Sequence, residues 1–152
     1  MANSGTEFSS ANIENYFKSQ NKVALDKKTI YRYLDKMEKA CLINRVKRFN
    51  IVGKQAMSYI EKQYAVDVGF RIINTNFVDY NDSFFLENII YNELMQRDYE
   101  VFVGKTYKGE IDFVVIKENK KCFIQVAYYL SNDDTIDREF DAFKPIKDAS
   151  PK

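Results

Sequence analysis

Ile30, Leu34, Met37 and Cys41 recur at i, i+4, i+7 and i+11, the spacing of one helical stripe, and Asp26 stands where an N-cap belongs. This pattern predicts a helix through about Ala40, with Lys27, Lys28, Tyr31, Arg32 and Asp35 largely off the apolar side. A shorter helix is predicted before it, from about Ala11 to Ser19, with Ile13, Tyr16 and Phe17 on its apolar face. Strand-like runs follow over Leu42–Phe49 and Tyr59–Val66, with a turn around Asn50–Lys54 between them. The stretch Tyr64–Arg71 passes from strand to helix, and Ser83 is placed to cap a long helix from Phe84 to about Arg97. Tyr99–Val103 reads as a strand and Gly104–Gly109 as a turn holding Lys105 and Lys108. Glu110–Ile116 and Phe123–Tyr128 then form the arms of a hairpin about a Lys117–Lys121 turn. Ser131-Asn132-Asp133-Asp134 opens a final helix carrying Ile136, Phe140 and Phe143 on one side.

These elements predict an α+β chain of two units. Residues 1–66 follow the order of a winged helix-turn-helix, and residues 67–152 read α-β-β-β-α with a mixed sheet. Charge divides at the same place. Residues 1–66 hold twelve Lys and Arg against six Asp and Glu, a net +6, whereas residues 67–152 hold eleven against sixteen, a net −5. A basic unit joined to an acidic one implies different partners for the two.

An apolar fraction of 45% supports a packed core, and no apolar run approaches the ~20 residues of a membrane span. No basic region followed by an apolar stretch opens the chain, so no secretory signal is expected. The absence of histidine removes His-based triads and His-ligated zinc. Cys41 and Cys122 lie in apolar settings and read as small buried hydrophobes of a reduced, cytoplasmic protein.

In the first unit, the basic edge of the second helix is a candidate for the major groove of DNA. Lys27, Lys28, Tyr31 and Arg32 would lie on it, and Lys47, Arg48 and Lys54 in the wing would contact phosphates. The bland alternative is a charged helix docked on a partner protein. In the second unit, each arm of the hairpin carries one polar residue among apolar ones, and Asp112 and Gln125 can face each other. An acid on one strand and Glu-x-Lys on the next is how many metal-dependent nucleases hold Mg²⁺. Here the second half reads Gln125-Val126-Ala127.

The segments Leu86–Leu94, Val103-Gly104-Lys105, Glu110–Val114 and Ile124–Tyr128, with Thr29–Leu34 and Lys62–Arg71 before them, resemble the C-terminal region of a large group of prokaryotic AAA+-type ATP-binding proteins. The resemblance covers nearly the whole chain. It implies a winged helix and a PD-(D/E)xK nuclease-like domain, preceded in the family by a P-loop ATPase. Glu87 would then be the helix carboxylate, Asp112 the central metal ligand, and Gln125 and Ala127 would stand at the Glu-x-Lys positions. The chain has no P-loop signature and hence no ATP site of that kind, and it stops where the family pattern continues, so it reads as a fragment.

Glu87, Asp112 and the Gln125 amide oxygen are the candidate Mg²⁺ ligands, but Ala127 supplies no cation for the transition state. Lys105 is the first candidate for a relocated lysine and Lys108 the next. Three readings stay open. The chain is an inactive nuclease-like fold that binds DNA or a partner, including the family's ATPase domain; or a weak Mg²⁺-dependent endonuclease using Lys105; or an interaction platform in which Asp112 answers Lys105 and Glu87 faces solvent.

Overall fold

The computed structural model describes residues 7–8, 15, 19, 26–74, 82–107, 109–128, 136, 140–141 and 143–146. Helix α1 (Lys27–Lys39) starts where the Asp26 carboxylate accepts the Thr29 backbone N–H at 2.7 Å. Ile30 and Leu34 are its buried positions and Met37 is half-buried. The stripe expected to continue to Cys41 stops before it. Cys41 takes a left-handed φ of 54°, and the Cys41 and Leu42 N–H groups return to the Glu38 and Met37 carbonyls at 2.9 Å. This closure ends the helix and turns Cys41 outward. Both cysteines are free and exposed, which corrects the expectation of two buried hydrophobes.

Strands β2 (Ile43–Asn50) and β3 (Gln55–Ala65) form an antiparallel hairpin. A short strand β1 (Glu7–Phe8) pairs antiparallel with the far side of β3. Helix α2 (Val68–Asn74) and helix α3 (Asp82–Gln96) follow, the second beginning a residue ahead of the cap expected at Ser83. Strands β4 (Glu100–Lys105), β5 (Glu110–Lys117) and β6 (Lys120–Ile124) come next. The β5–β6 turn is Glu118-Asn119, both left-handed with φ of 51° and 61°, as a two-residue hairpin loop requires. Asn15 and Ser19 are helical, but the rest of the first predicted helix and most of the last lie outside the described residues, as does Lys108.

The described strands form one six-stranded mixed sheet in the order β1-β3-β2-β4-β5-β6, so the expected α+β class with a mixed sheet holds. Its junction is the parallel pairing of β2 with β4: Arg48 lies beside Val103, Phe49 beside Gly104 and Asn50 beside Lys105. The hairpin is therefore no free-standing wing, because its distal end lies inside the sheet. Strands from residues 1–66 and from residues 67–152 share that sheet.

Gly104 makes the junction possible. A Cβ there would meet Val114 Cγ2 at 2.9 Å and Ile111 Cβ and Ile51 Cδ1 at 3.0 Å. One buried cluster joins Val46 and Tyr64 of the hairpin to Tyr91 and Leu94 of α3 and to Val103, Phe113 and Val115. A second joins Phe49 and Ile51 to Ile111, Val114 and Ile146. A third, smaller one seats α1 on Ile43. No helix among the described residues is long and apolar enough to cross a membrane.

Candidate functional site

Helix α3 is fixed to the end of β3 by asparagine side chains. Asn88, fully buried, accepts the Ala65 N–H at 2.9 Å and donates to the Ala65 carbonyl at 2.8 Å. Asn92, one turn on, donates to the carbonyls of Ala65 and Val66 at 3.2 and 3.0 Å. This clamp sets the rotation of the helix. Glu87 therefore lies buried against the side chains that β3 presents at alternate positions, Lys62 and Tyr64.

The Lys62 ammonium is the centre of the site. It donates to Glu87 Oε1 at 2.7 Å and to Glu110 Oε1 at 2.8 Å. Tyr64 donates its hydroxyl to the same Glu87 oxygen at 2.5 Å. The other Glu110 oxygen, Oε2, lies 2.8 Å from the Arg48 guanidinium, and the Arg48 side chain is only 1% exposed. Two cations and two carboxylates thus interlock between the hairpin, α3 and β5.

Asp112 stands beside this group. Its Oδ2 accepts the Val126 N–H at 2.7 Å, and its own backbone N–H donates to Gln125 Oε1 at 3.2 Å. The predicted approach of Asp112 and Gln125 is therefore present, set by the β5–β6 register that pairs Phe113 with Ile124.

Protonation follows from burial and neighbours. Burial raises Asp112 to about 7; the negative charges of Glu87 and Glu110 add to the rise, while the Val126 N–H and Lys62 oppose it. Burial also raises Glu87, with the Lys62 ammonium and the Tyr64 hydroxyl pulling the other way. For Lys62 burial favours the neutral amine, but the charges of Glu87 and Glu110 outweigh it, so the group titrates above an ordinary lysine and stays an ammonium. Burial, and then the charge of Glu87, push Tyr64 well up, which keeps it a hydrogen-bond donor.

A hard dication needs oxygen lone pairs turned toward it. Here the Glu87 Oε1, Glu110 Oε1 and Oε2, Asp112 Oδ2 and Gln125 Oε1 atoms are each engaged by a donor or cation of the chain itself. Among the described residues, no group of three or more Cys, Asp or Glu side chains is arranged to hold a metal. In this arrangement Glu87 Oε1, Asp112 Oδ2 and Gln125 Oε1 are turned to partners within the chain.

The remaining candidates fall in different places. Lys105 is exposed at the end of β4; it pairs in register with Glu110, whose carboxylate turns to Lys62 and Arg48 instead. The lysine beside Glu87 is thus Lys62, and Glu87 is buried rather than facing solvent. Ala127 is exposed. On α1, Lys27, Lys28 and Arg32 are exposed, and Tyr31 is half-buried with the Arg45 guanidinium 5.8 Å from its ring centre. Lys47 and Lys54 are exposed. Arg48 is corrected: it is buried against Glu110 and offers no guanidinium to a phosphate.

Sequence reasoning passed over Lys62, Glu110, Tyr64 and Asn88. The signals available were Lys62 and Tyr64 on one face of a strand, and Asn88 and Asn92 on one face of a helix. Neither says which strand lies against which helix.

An uncharacterized protein of Haemophilus influenzae is similar to this chain, 34% identical over 148 residues. The match takes in 96% of this chain and 36% of that relative, so the chain spans about a third of the length of the curated relative it matches. No family model matches the chain, and no solved structure does.

Proposed function

We propose that this chain is a binding module, a winged helix joined to a nuclease-like fold, that engages DNA or a partner protein without cleaving a phosphodiester. The observation that carries this reading is the Lys62 ammonium between Glu87 and Glu110. It holds, with a covalently tethered cation, Glu87, one of the two carboxylates through which such a fold would recruit a metal. The neutral Gln125 and the missing lysine at Ala127 point the same way. The endonuclease alternative calls for a relocated lysine, Lys105 first and Lys108 next; the carboxylate of Glu110, the register partner of Lys105, turns to Lys62 and Arg48. In the H. influenzae relative the matched segment is joined to more sequence than it spans, which supports a module built into longer proteins, with the ATPase of the resembled family as the expected neighbour.

Supercoiled plasmid incubated with the chain and Mg²⁺ or Mn²⁺ tests the reading. Nicking no faster than with a Glu87→Ala/Asp112→Ala control is the expected result. Metal-dependent nicking that disappears in the control would establish the endonuclease instead.

A further inference from the structure

We propose that the outer face of α1 is a contact surface for the phosphates of duplex DNA, formed by Lys28, Arg32, Lys36 and Lys39. The inference rests on the binding-module reading and names its partner and its residues. All four side chains are exposed, and they recur at i, i+4, i+8 and i+11 on the side of the helix opposite Ile30 and Leu34. At a rise of ~1.5 Å per residue the row is roughly 16 Å long, enough to cross a major groove ~12 Å wide.

What makes the face cationic is four cations set against two acids that Arg45 partly offsets. Asp35 and Glu38 are the two carboxylates within α1. Arg45 of β2 holds both, with Nη1 2.5 Å from Asp35 Oδ1 and 3.7 Å from Glu38 Oε2. Both acids stay exposed, at 57% and 43%, and share the single guanidinium of Arg45 on the flank where Tyr31 meets it, so with the four cations of the row the face keeps a net positive charge. Lys36 and Lys39, which the sequence pattern alone did not single out, extend the row that Lys28 and Arg32 begin. Evenly spaced cations on one rigid helix match a linear polyanion of evenly spaced phosphates, whereas an acidic protein surface offers no such repeat.

The test is fluorescence anisotropy of a short labelled duplex of arbitrary sequence with the full chain, between ~50 and ~200 mM salt. The wild type is compared with Lys28→Gln/Arg32→Gln/Lys36→Gln/Lys39→Gln and with a control on the β5–β6 hairpin, Lys120→Gln/Lys121→Gln. Thermal melting confirms that each variant is folded. The row predicts that the quadruple variant binds ~100-fold or more weakly at the low-salt end and that its log–log salt slope falls by roughly three to four, near 0.9 for each phosphate no longer neutralised. The control should keep both its affinity and its slope. A quadruple variant that binds with wild-type slope would overturn the row and leave the module reading intact, with DNA bound elsewhere on the chain. A wild type that fails to bind at low salt would overturn it too, and would turn the module toward protein partners. The plasmid assay judges the non-catalytic reading separately, since nicking and equilibrium binding are measured independently.

Discussion

Between the hairpin, α3 and β5, Lys62 and Arg48 meet Glu87 and Glu110 at 2.7–2.8 Å in a cluster largely removed from water. On the outer side of α1, Lys28, Arg32, Lys36 and Lys39 stand exposed in a row while the acids of the same helix share the single guanidinium of Arg45. The two regions use the same residue types under opposite constraints. A buried charge must be matched inside the protein, because no solvent is there to replace a missing partner. An exposed charge is nearly neutral for folding and is available to a partner of opposite sign. Removing a cation from the first region should therefore unfold the chain, and removing one from the second should alter only what it binds.

The largest effect is expected at Lys62. Lys62→Met leaves Glu87 buried without its cation and should destabilise the fold by ~3–5 kcal/mol in urea titration. Adding Glu87→Gln to it should recover part of that stability, because the stranded charge is then gone. Equal destabilisation in the single and double variants would mean that the two side chains do not communicate.

Asp112 comes next and gives the comparison a pH axis. Its proton is retained in the folded chain up to about 7, against an ordinary value near 3.8. Between those values the unfolded chain binds fewer protons than the folded one. Stability from this group is thus greatest at the acid end, falls as pH rises through the window, and is level above it. Asp112→Asn should flatten that slope and raise stability at pH 8 by an amount whose upper limit is ~4 kcal/mol before solvent screening is allowed for. Melting temperatures recorded from pH 5 to 8 would expose a slope of the wrong sign.

Gly104→Ala should cost ~1–3 kcal/mol, since the added methyl meets the packed side chains of three neighbouring residues. Arg32→Gln on the exposed helix should change stability by no more than ~0.5 kcal/mol in the same titration. A destabilisation comparable to that of Lys62→Met would erase the distinction between the two regions.

How much of this was legible in the chain depends on how far apart in sequence the partners lie. The bounds of α1 were readable because Asp26, Thr29 and the Ile30–Leu34 stripe are local. The approach of Asp112 and Gln125 was readable because both lie on the arms of one hairpin, although its turn is Glu118-Asn119 rather than the expected Lys117–Lys121. The role of Lys62 was not, since Glu87 and Glu110 lie 25 and 48 residues away and reach it only through the order of the sheet. Arg48 misled because Lys47-Arg48 reads as the basic tip of a wing. The strand in fact enters the sheet there, with a register shift between those two residues and parallel pairing beginning at the second. Cys41 misled for a local reason: the helical stripe extrapolates one residue beyond the turn that ends it.

The parallel junction of β2 and β4 also bears on how the chain can be divided. A fragment ending after β3 would carry Lys62 and Arg48 without their carboxylates and would leave the β2 edge that receives β4 open to solvent. A fragment beginning at α3 would carry Glu87 and Glu110 without their cations. Each fragment would hold what the other lacks, so a cut between β3 and α3 divides both the ion cluster and the backbone pairing of the sheet.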